Sequence, residues 1–179
     1  MKVRIGLAVG VALALALPVA AQAAFPKTSD TLIVPAKSIG GAKLDSSLAA
    51  ATGAWGKGGT CTASGCAYAA KSSLGSASFI LASTTVGGAE HTVAITLSTG
   101  YTTTGGRVKY TFDSPLNRFK TANGIGLGST VKELKHAYSA AKDETAGVYK
   151  LAGAGTSFTL FTVYAGRVST IEIESQHLG

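Results

Sequence analysis

The feature that most limits what this chain can fold into is a short segment that occurs twice. Residues 44–55 (LDSSLAAATGAW) are followed 83 positions later by residues 127–138 (LGSTVKELKHAY). In both copies, a hydroxyl residue that can cap a helix precedes apolar residues at helical spacing and a terminal aromatic residue. This repetition predicts two tandem copies of one small αβ unit.

Each copy predicts a helix with a defined start. In the first copy, Ser46 or Ser47 can accept a hydrogen bond from a free amide, and Gly56 is expected to end the helix. In the second copy, Thr130 and Glu133 have the spacing of a capping box. The apolar stripes expected to face a sheet are Leu48, Ala51 and Trp55 in the first helix and Val131, Leu134, Tyr138 and Ala141 in the second.

Alternating apolar and polar residues after each helix predict antiparallel strands with one buried face. We expect these strands at residues 67–70, 77–83, 91–98, 147–151, 157–164 and 167–174, with turns at Gly87-Gly88 and Ala165-Gly166. Further strands are expected at residues 31–34 and 107–112. The predicted fold class is α+β: two tandem repeats, each a helix packed on an antiparallel β-meander of three strands, which can join into one continuous sheet.

Residues 1–23 have the pattern of a secretory signal peptide. Lys2 and Arg4 precede an uncharged run at residues 5–17, and Ala21-Gln22-Ala23 supplies the small residues that signal peptidase accepts. The apolar run is shorter than the roughly 20 residues that a membrane-spanning helix needs. We therefore expect cleavage near Ala23 and a secreted mature chain, extracellular or in the periplasm or cell wall, with no transmembrane segment.

The length of the mature chain suits one compact unit. Its expected parts are an N-terminal segment at residues 24–37, the first repeat at 38–100, a bridging segment at 101–120 and the second repeat at 121–179. Cys61 and Cys66 are the only cysteines, and export favours a disulfide between them. A redox-active pair would have two intervening residues rather than four, and a metal site would need more ligands.

The charge of the mature chain is mildly basic. Without Lys2 and Arg4, 14 basic and 9 acidic side chains remain, which gives a net charge of +5. The charges are too few and too dispersed to indicate nucleic-acid binding, but they favour an anionic wall polymer, a lipid head group or an acidic protein as a partner. A solvated surface explains the same charges.

The bridging segment carries the best candidates for partner binding. Four cations and three aromatic residues lie close together in the sequence, and residues of these types are common at interfaces. The candidate residues are Arg107, Lys109, Tyr110, Phe112, Arg118, Phe119 and Lys120. An edge strand protected from aggregation by positive charge is the alternative interpretation.

No catalytic motif is present. His91, His136 and His177 are spread over a strand, a helix and the C-terminus, and Gly-x-Ser-x-Gly is absent. Glu172 and Glu174 share one face of a strand, which a glycoside hydrolase or an exposed sheet face would both explain. The glycines at 124, 126 and 128 do not have the spacing of a phosphate-binding loop and favour a close turn into the helix. We expect no cofactor and no bound metal.

Residues 124–138 (GIGLGSTVKELKHAY) and 166–173 (GRVSTIEI) together resemble the helix-plus-meander repeat of bacterial secreted proteins. This fold group includes the β-lactamase inhibitory protein, which has two tandem repeats, and the small outer-membrane assembly lipoprotein, which has one. The resemblance covers about residues 38–98 and 121–174 and implies the same fold. The chain lacks the lipid-bearing cysteine of the assembly lipoprotein, and a cysteine pair occurs only in the first repeat.

These patterns favour a secreted, non-catalytic binding or inhibitory module. Its partner would be an unknown protein or an anionic component of the cell envelope, contacted by the sheet face and the bridging segment. Two alternatives stay open. One is a small exported hydrolase that uses His91 or the pair of Glu172 and Glu174, and the other is a structural component of the cell envelope.

Overall fold

The structure is a computed structural model, and it describes residues 24–83 and 90–175. Within these residues the predicted α+β class is confirmed, with helices α1 (Leu48–Trp55) and α2 (Val131–Ala137) and mostly antiparallel sheets. The proposed signal peptide, the turn at Gly87-Gly88 and His177 lie outside the described residues. No described helix has the length and apolar character needed to cross a bilayer.

The described strands form three sheets. In chain order they are β1 (Leu32–Val34), β2 (Ser38–Ile39), β3 (Ala42–Lys43), β4 (Thr60–Thr62), β5 (Gly65–Lys71), β6 (Gly75–Ser83), β7 (Glu90–Ser98), β8 (Gly100–Thr104), β9 (Arg107–Thr111), β10 (Lys120–Thr121), β11 (Lys142–Thr145), β12 (Val148–Ala152), β13 (Ser157–Tyr164) and β14 (Arg167–Ser175). The largest sheet has the order β11-β12-β13-β14-β7-β6-β5-β4, and all its pairs are antiparallel. A small sheet has the order β10-β1-β2-β3, and β8 pairs with β9 in a separate hairpin.

The core lies on one face of the large sheet. Because side chains alternate between the faces of a strand, Ile95 and Leu97 of β7 point to the same side as Ile171 and Ile173 of β14, and all four are fully buried. The residues between them, such as Thr96 and Glu172, lie on the opposite face and stay partly exposed. We call this second side the outer face.

Helix α1 has both of its predicted ends. The Ser47 hydroxyl accepts a hydrogen bond from the amide of Ala50, and Gly56 ends the helix with a φ of 77°. Trp55 is fully buried, and its indole Nε1 donates a hydrogen bond to the carbonyl of Ile39 at 2.8 Å. Its ring makes edge contacts with Tyr68 and Phe79, with centroids 5.2 and 5.6 Å away. These contacts fix α1 on the core face of the sheet.

Helix α2 begins as predicted but ends earlier. Thr130 and Glu133 form the capping box, so this sequence signal is confirmed. The prediction that the helix continues to Ala141 is wrong, because the helix ends at Ala137 and Tyr138 leaves the helical conformation with a φ of −136°. The Tyr138 ring stacks on Phe161 of β13, and the chain then turns to form β11. Pairing with the sheet therefore replaces the last predicted helical turn.

The meanders have more strands than the pattern predicted. Three strands were expected on each side of the large sheet, but β4 and β11 add a fourth at each edge. Both added strands are short, and every residue in them is exposed, so they have no alternating apolar residues. The predicted strand at 107–112 is found as β9, and its partner β8 was not predicted.

The predicted disulfide is confirmed. Cys61 of β4 lies directly opposite Cys66 of β5, with 4.0 Å between the two Cα atoms. The bond therefore joins the edge strand β4 to the rest of the sheet.

Loss of this disulfide should lower the free energy of unfolding by about 2 kcal/mol, because a short cross-link restricts the unfolded chain only modestly. Urea unfolding of the oxidised and reduced chains would measure the difference. The variant in which both cysteines become serine should have a lower free energy of unfolding than the reduced chain, because Cys66 is buried and serine would place a hydroxyl there. An unchanged urea midpoint after verified reduction would contradict this expectation.

Candidate binding surface

The hairpin of β8 and β9 has two chemically different faces. Tyr101 lies opposite Tyr110, and Thr103 lies opposite Val108, so these four side chains share one face. The other face carries the pairs Thr102 with Lys109 and Thr104 with Arg107. We call these the tyrosine face and the cationic face. The predicted cations Arg107 and Lys109 therefore point away from the predicted aromatic Tyr110.

Tyr164, at the end of β13, extends the tyrosine face onto the large sheet. The Tyr110 ring centroid lies 4.3 Å from that of Tyr164 and 6.3 Å from that of Tyr101. Tyr101 is 48% exposed and Tyr164 is 45% exposed. Three of the five large hydrophobic side chains that are exposed in the described part of the chain belong to this surface, namely Tyr101, Val108 and Tyr164. The three rings thus form one continuous aromatic surface open to solvent.

A pocket of about 420 Å³ lies where the tyrosine face meets the outer face of the large sheet. We call it the corner pocket. Ser98 of β7 lies between Ser76 and Thr170 in the sheet register, and its hydroxyl is 3.3 Å from the Thr170 hydroxyl. The described lining has no charged side chain and consists of Gly75, Ser76, Ser98, Thr99, Tyr101, Tyr110 and Thr170.

Two glycines and two hydroxyl groups fix the base of the hairpin. A Cβ atom on Gly100 would clash with the carbonyl of Ser73, and one on Gly75 would clash with the carbonyl of Ser98. The Thr99 hydroxyl donates to the carbonyl of Thr111, and the Ser114 hydroxyl donates to that of Leu74. The hairpin is therefore held at a defined angle to the sheet.

Two carboxyl groups lie on the outer face beyond the corner pocket. In the register, Glu172 is opposite Thr96, and Glu174 is opposite Ala94. The pKa of Glu172 is raised, mainly by burial and also by the neighbouring Glu174, while a hydrogen bond from Thr96 opposes the shift. The two predicted carboxylates are therefore adjacent. His91, the third residue of the hydrolase hypothesis, has its Nδ1 atom 3.1 Å from the carbonyl oxygen of Asp45.

The other predicted binding residues lie elsewhere. Phe119 is fully buried in the core, so its ring is not part of any surface. Arg118 is exposed, donates to the carbonyl of Pro26 and lies 5.0 Å from the Phe119 ring centroid. Phe112 and Lys120 line a separate cleft. The structure thus divides six of the seven predicted residues among the hairpin, the core and this cleft, and Arg118 lies outside all three.

The cleft has a volume of about 750 Å³ and lies beside α2. Lys120 Nζ donates to the carbonyl of Leu127 at 3.4 Å, and Arg167 donates to that of Gly128 at 2.9 Å. Burial lowers the pKa of Lys120. The pKa of Glu133 is lowered mainly by hydrogen bonds from Thr130 and also by Arg167 and Lys120. Lys120 and Arg167 are therefore already engaged by the Glu133 carboxylate and by two backbone carbonyls.

Glycine has a structural role in the wall of this cleft. A Cβ atom on Gly126 would clash with the Phe119 carbonyl and with the Lys120 side chain, and Gly128 has a φ of 83°.

Exposed His136 lies at the edge of the cleft. In the residues that the structure describes, no group of three or more His, Cys, Asp or Glu side chains is arranged to hold a metal ion.

Sequence reasoning missed Tyr101 and Tyr164. They are 63 positions apart and belong to different strands, so only the pairing of strands brings them to the same ring, that of Tyr110. The alternation within residues 107–111 was a usable signal, since it separates Tyr110 from Arg107 and Lys109 once a strand is assumed.

The raised pKa of Glu172 predicts a pH dependence of stability. The folded chain holds the proton of Glu172 more tightly than the unfolded chain does, so the protonated carboxyl stabilises the folded state. This stabilisation is complete below the ordinary carboxyl pKa and is lost as the pH rises through the raised pKa of Glu172. Glu172→Gln should therefore unfold at a higher urea concentration than the wild type near pH 7, and the difference should shrink toward pH 4. Glu144→Gln, exposed on edge strand β11, is the control. Equal midpoints for Glu172→Gln and wild type near pH 7 would contradict the expectation.

No known family model, curated protein sequence or solved structure matches this chain. The features of the chain that bear on its function are the tyrosine face, the outer face and the corner pocket between them.

Proposed function

We propose that the chain is a secreted, non-catalytic binding module that holds its partner on the tyrosine face and the adjoining outer face of the large sheet. The observation that carries this proposal is the continuous aromatic surface of Tyr101, Tyr110 and Tyr164, of which two rings are nearly half exposed. A partner that covered these rings would remove a large apolar area from water. Tyrosine is also among the residues that most often dominate binding energy at interfaces.

Rigidity of the surface supports the same function. The rings of Tyr101 and Tyr110 form a cross-strand pair, and the base of the hairpin is fixed by Gly75, Gly100, Thr99 and Ser114. A surface that is already ordered loses little conformational entropy on binding, so more of the contact energy appears as affinity.

The cationic face supports an anionic component of the cell envelope, or an acidic protein, as the partner. Arg107 and Lys109 are exposed on the same side of the hairpin, and the chain as a whole has more basic than acidic residues. Because these cations point away from the tyrosines, we assign them to long-range attraction rather than to the contact itself.

We further propose that the chain contains two tandem helix-plus-meander units, in line with its resemblance to the bacterial secreted fold group. Two observations support this. Thr130, which caps α2, lies 83 positions after Ser47, which caps α1. Strands β4 to β7 occupy one half of the large sheet, β11 to β14 occupy the other, and each half ends at the centre with its last strand. The disulfide supports an oxidising compartment and thus export.

The double variant Tyr101→Ala, Tyr164→Ala tests the binding function. Its affinity for purified bacterial envelope fragments should fall at least about tenfold in cosedimentation, since each truncated anchor typically costs more than 1 kcal/mol. Leu32→Ala, which removes an equally exposed side chain outside the surface, is the matched control. Protease treatment of the fragments beforehand would separate a protein partner from a polymer.

Replacing Arg107 and Lys109 by Gln should mainly slow association and weaken its dependence on salt, with a smaller effect on dissociation. The binding proposal fails if the tyrosine variant, shown to be folded by circular dichroism, sediments with the fragments as the wild type does.

A further inference from the structure

The corner pocket has a lining that selects for a particular ligand chemistry. Its described walls combine the rings of Tyr101 and Tyr110 with the hydroxyls of Ser76, Ser98 and Thr170. Its volume of about 420 Å³ is within the usual range for small-molecule sites. A ligand that fits these walls must present an apolar surface to the rings and several hydrogen-bonding groups to the hydroxyls.

The lining of the pocket makes anionic and fully apolar ligands poor matches. The described lining holds no cation, and Arg107 and Lys109 lie on the opposite face of the hairpin, so an anion would lose hydration without gaining a counter-charge from these walls. The closest acidic group along β14 is Glu172, two positions from Thr170, and the lining itself is neutral. A purely apolar ligand would bury the serine and threonine hydroxyls and leave most of their hydrogen-bonding capacity unused, since among the described residues the Ser98 and Thr170 hydroxyls contact only each other across the strands, and this costs free energy.

A neutral sugar ring satisfies both requirements. In a pyranose with equatorial hydroxyls, the axial C–H groups form two apolar faces while the hydroxyls point outward around the rim. The C–H face can lie against a tyrosine ring, whose π face is electron-rich, and the rim hydroxyls can exchange hydrogen bonds with serine and threonine. We propose that the corner pocket binds a neutral pyranose unit of a β-linked polysaccharide, because equatorial linkages leave the C–H faces of each unit free to lie against an aromatic ring.

The surrounding surface suits a chain of sugars rather than a single unit. The Tyr164 ring lies 4.3 Å from that of Tyr110 and extends the aromatic surface out of the pocket along the large sheet. The two rings are in contact with each other, so a second sugar unit would lie against the exposed part of Tyr164, which is 45% exposed, while the first occupies the pocket. This inference rests on the proposed binding function and names the part of the envelope component that enters the corner pocket, while any anionic groups of that component lie outside the pocket.

Titration with cellohexaose and with chitohexaose, followed by isothermal calorimetry and by shifts of the tyrosine ring protons, tests the inference. At least one of these neutral β-linked oligosaccharides should bind, and Tyr101→Ala should weaken its binding about tenfold or more. Thr170→Val, which keeps the side-chain shape and removes the hydroxyl, should weaken it several-fold. Leu32→Ala should bind as the wild type does.

Charge provides a second, independent readout. Because the cationic face is turned away, oligosaccharide binding should change less than twofold when Arg107 and Lys109 are replaced by Gln or when salt is raised. An anionic polymer such as polygalacturonate would instead lose affinity steeply in both cases. If polygalacturonate binds and neither neutral probe does, the inference of a neutral sugar is overturned.

The remaining outcomes separate this inference from the proposed function. If neither neutral oligosaccharide binds near millimolar concentration, while Tyr101→Ala, Tyr164→Ala still loses binding to envelope fragments, the sugar inference is wrong and the binding function stands. Protease-sensitive fragment binding with no response to the probes would assign the surface to a protein partner. Equal oligosaccharide affinity for wild type, Tyr101→Ala and Thr170→Val would exclude the corner pocket as the site.

Discussion

The pairing of β7 with β14 is the interaction on which the rest of the structure depends. It joins two groups of four strands, which would otherwise be separate sheets, and it does so in the register that places Ile95 beside Ile173 and Leu97 beside Ile171. These four side chains are fully buried, and each contributes about 1.5–3 kcal/mol by leaving water. A shift of one residue would turn all of them to the outer face, so the hydrophobic core fixes this register strongly.

Helices α1 and α2 both pack on the core side of this sheet. The side chains of the outer face are therefore accessible for binding. Trp55 anchors α1 through Tyr68 and Phe79, and Leu134 of α2 is buried in the same core. The outer face keeps serine, threonine and glutamate side chains along its central strands, and no helix among residues 24–83 and 90–175 covers these hydrogen-bonding groups. The tyrosines at its end then provide the apolar area that a binding surface needs.

The sequence predicted those parts of the fold that depend on neighbouring residues. Ser47, Gly56 and the pair of Thr130 and Glu133 act within one turn of helix, so their spacing alone indicates helix ends. The strands that were missed, such as β4 and β11, are exposed throughout and exist because a neighbouring strand offers free backbone groups. Their formation depends on pairing that no local pattern carries.

The same distinction between local sequence signals and strand pairing explains which residues of the candidate surface were predicted. Of the residues predicted in the bridging segment, Tyr110 belongs to the tyrosine face, and Arg107 and Lys109 belong to the face behind it. Phe119 was included for its aromatic character, but it fills the core, and composition alone does not separate these two uses of an aromatic ring. Tyr164 joins the surface only through the folding of a distant strand.

The close approach at Gly100 and Gly75 has a consequence for how this surface can change over time. A single methyl group at either position would push the hairpin away from the sheet and separate Tyr110 from Tyr164, and Gly75 also lines the corner pocket. The orientation of the aromatic rings is thus controlled by two positions with no chemistry of their own. Substitution of a single tyrosine can therefore adjust what the surface recognises. Substitution of either glycine would instead disrupt the arrangement of all three rings.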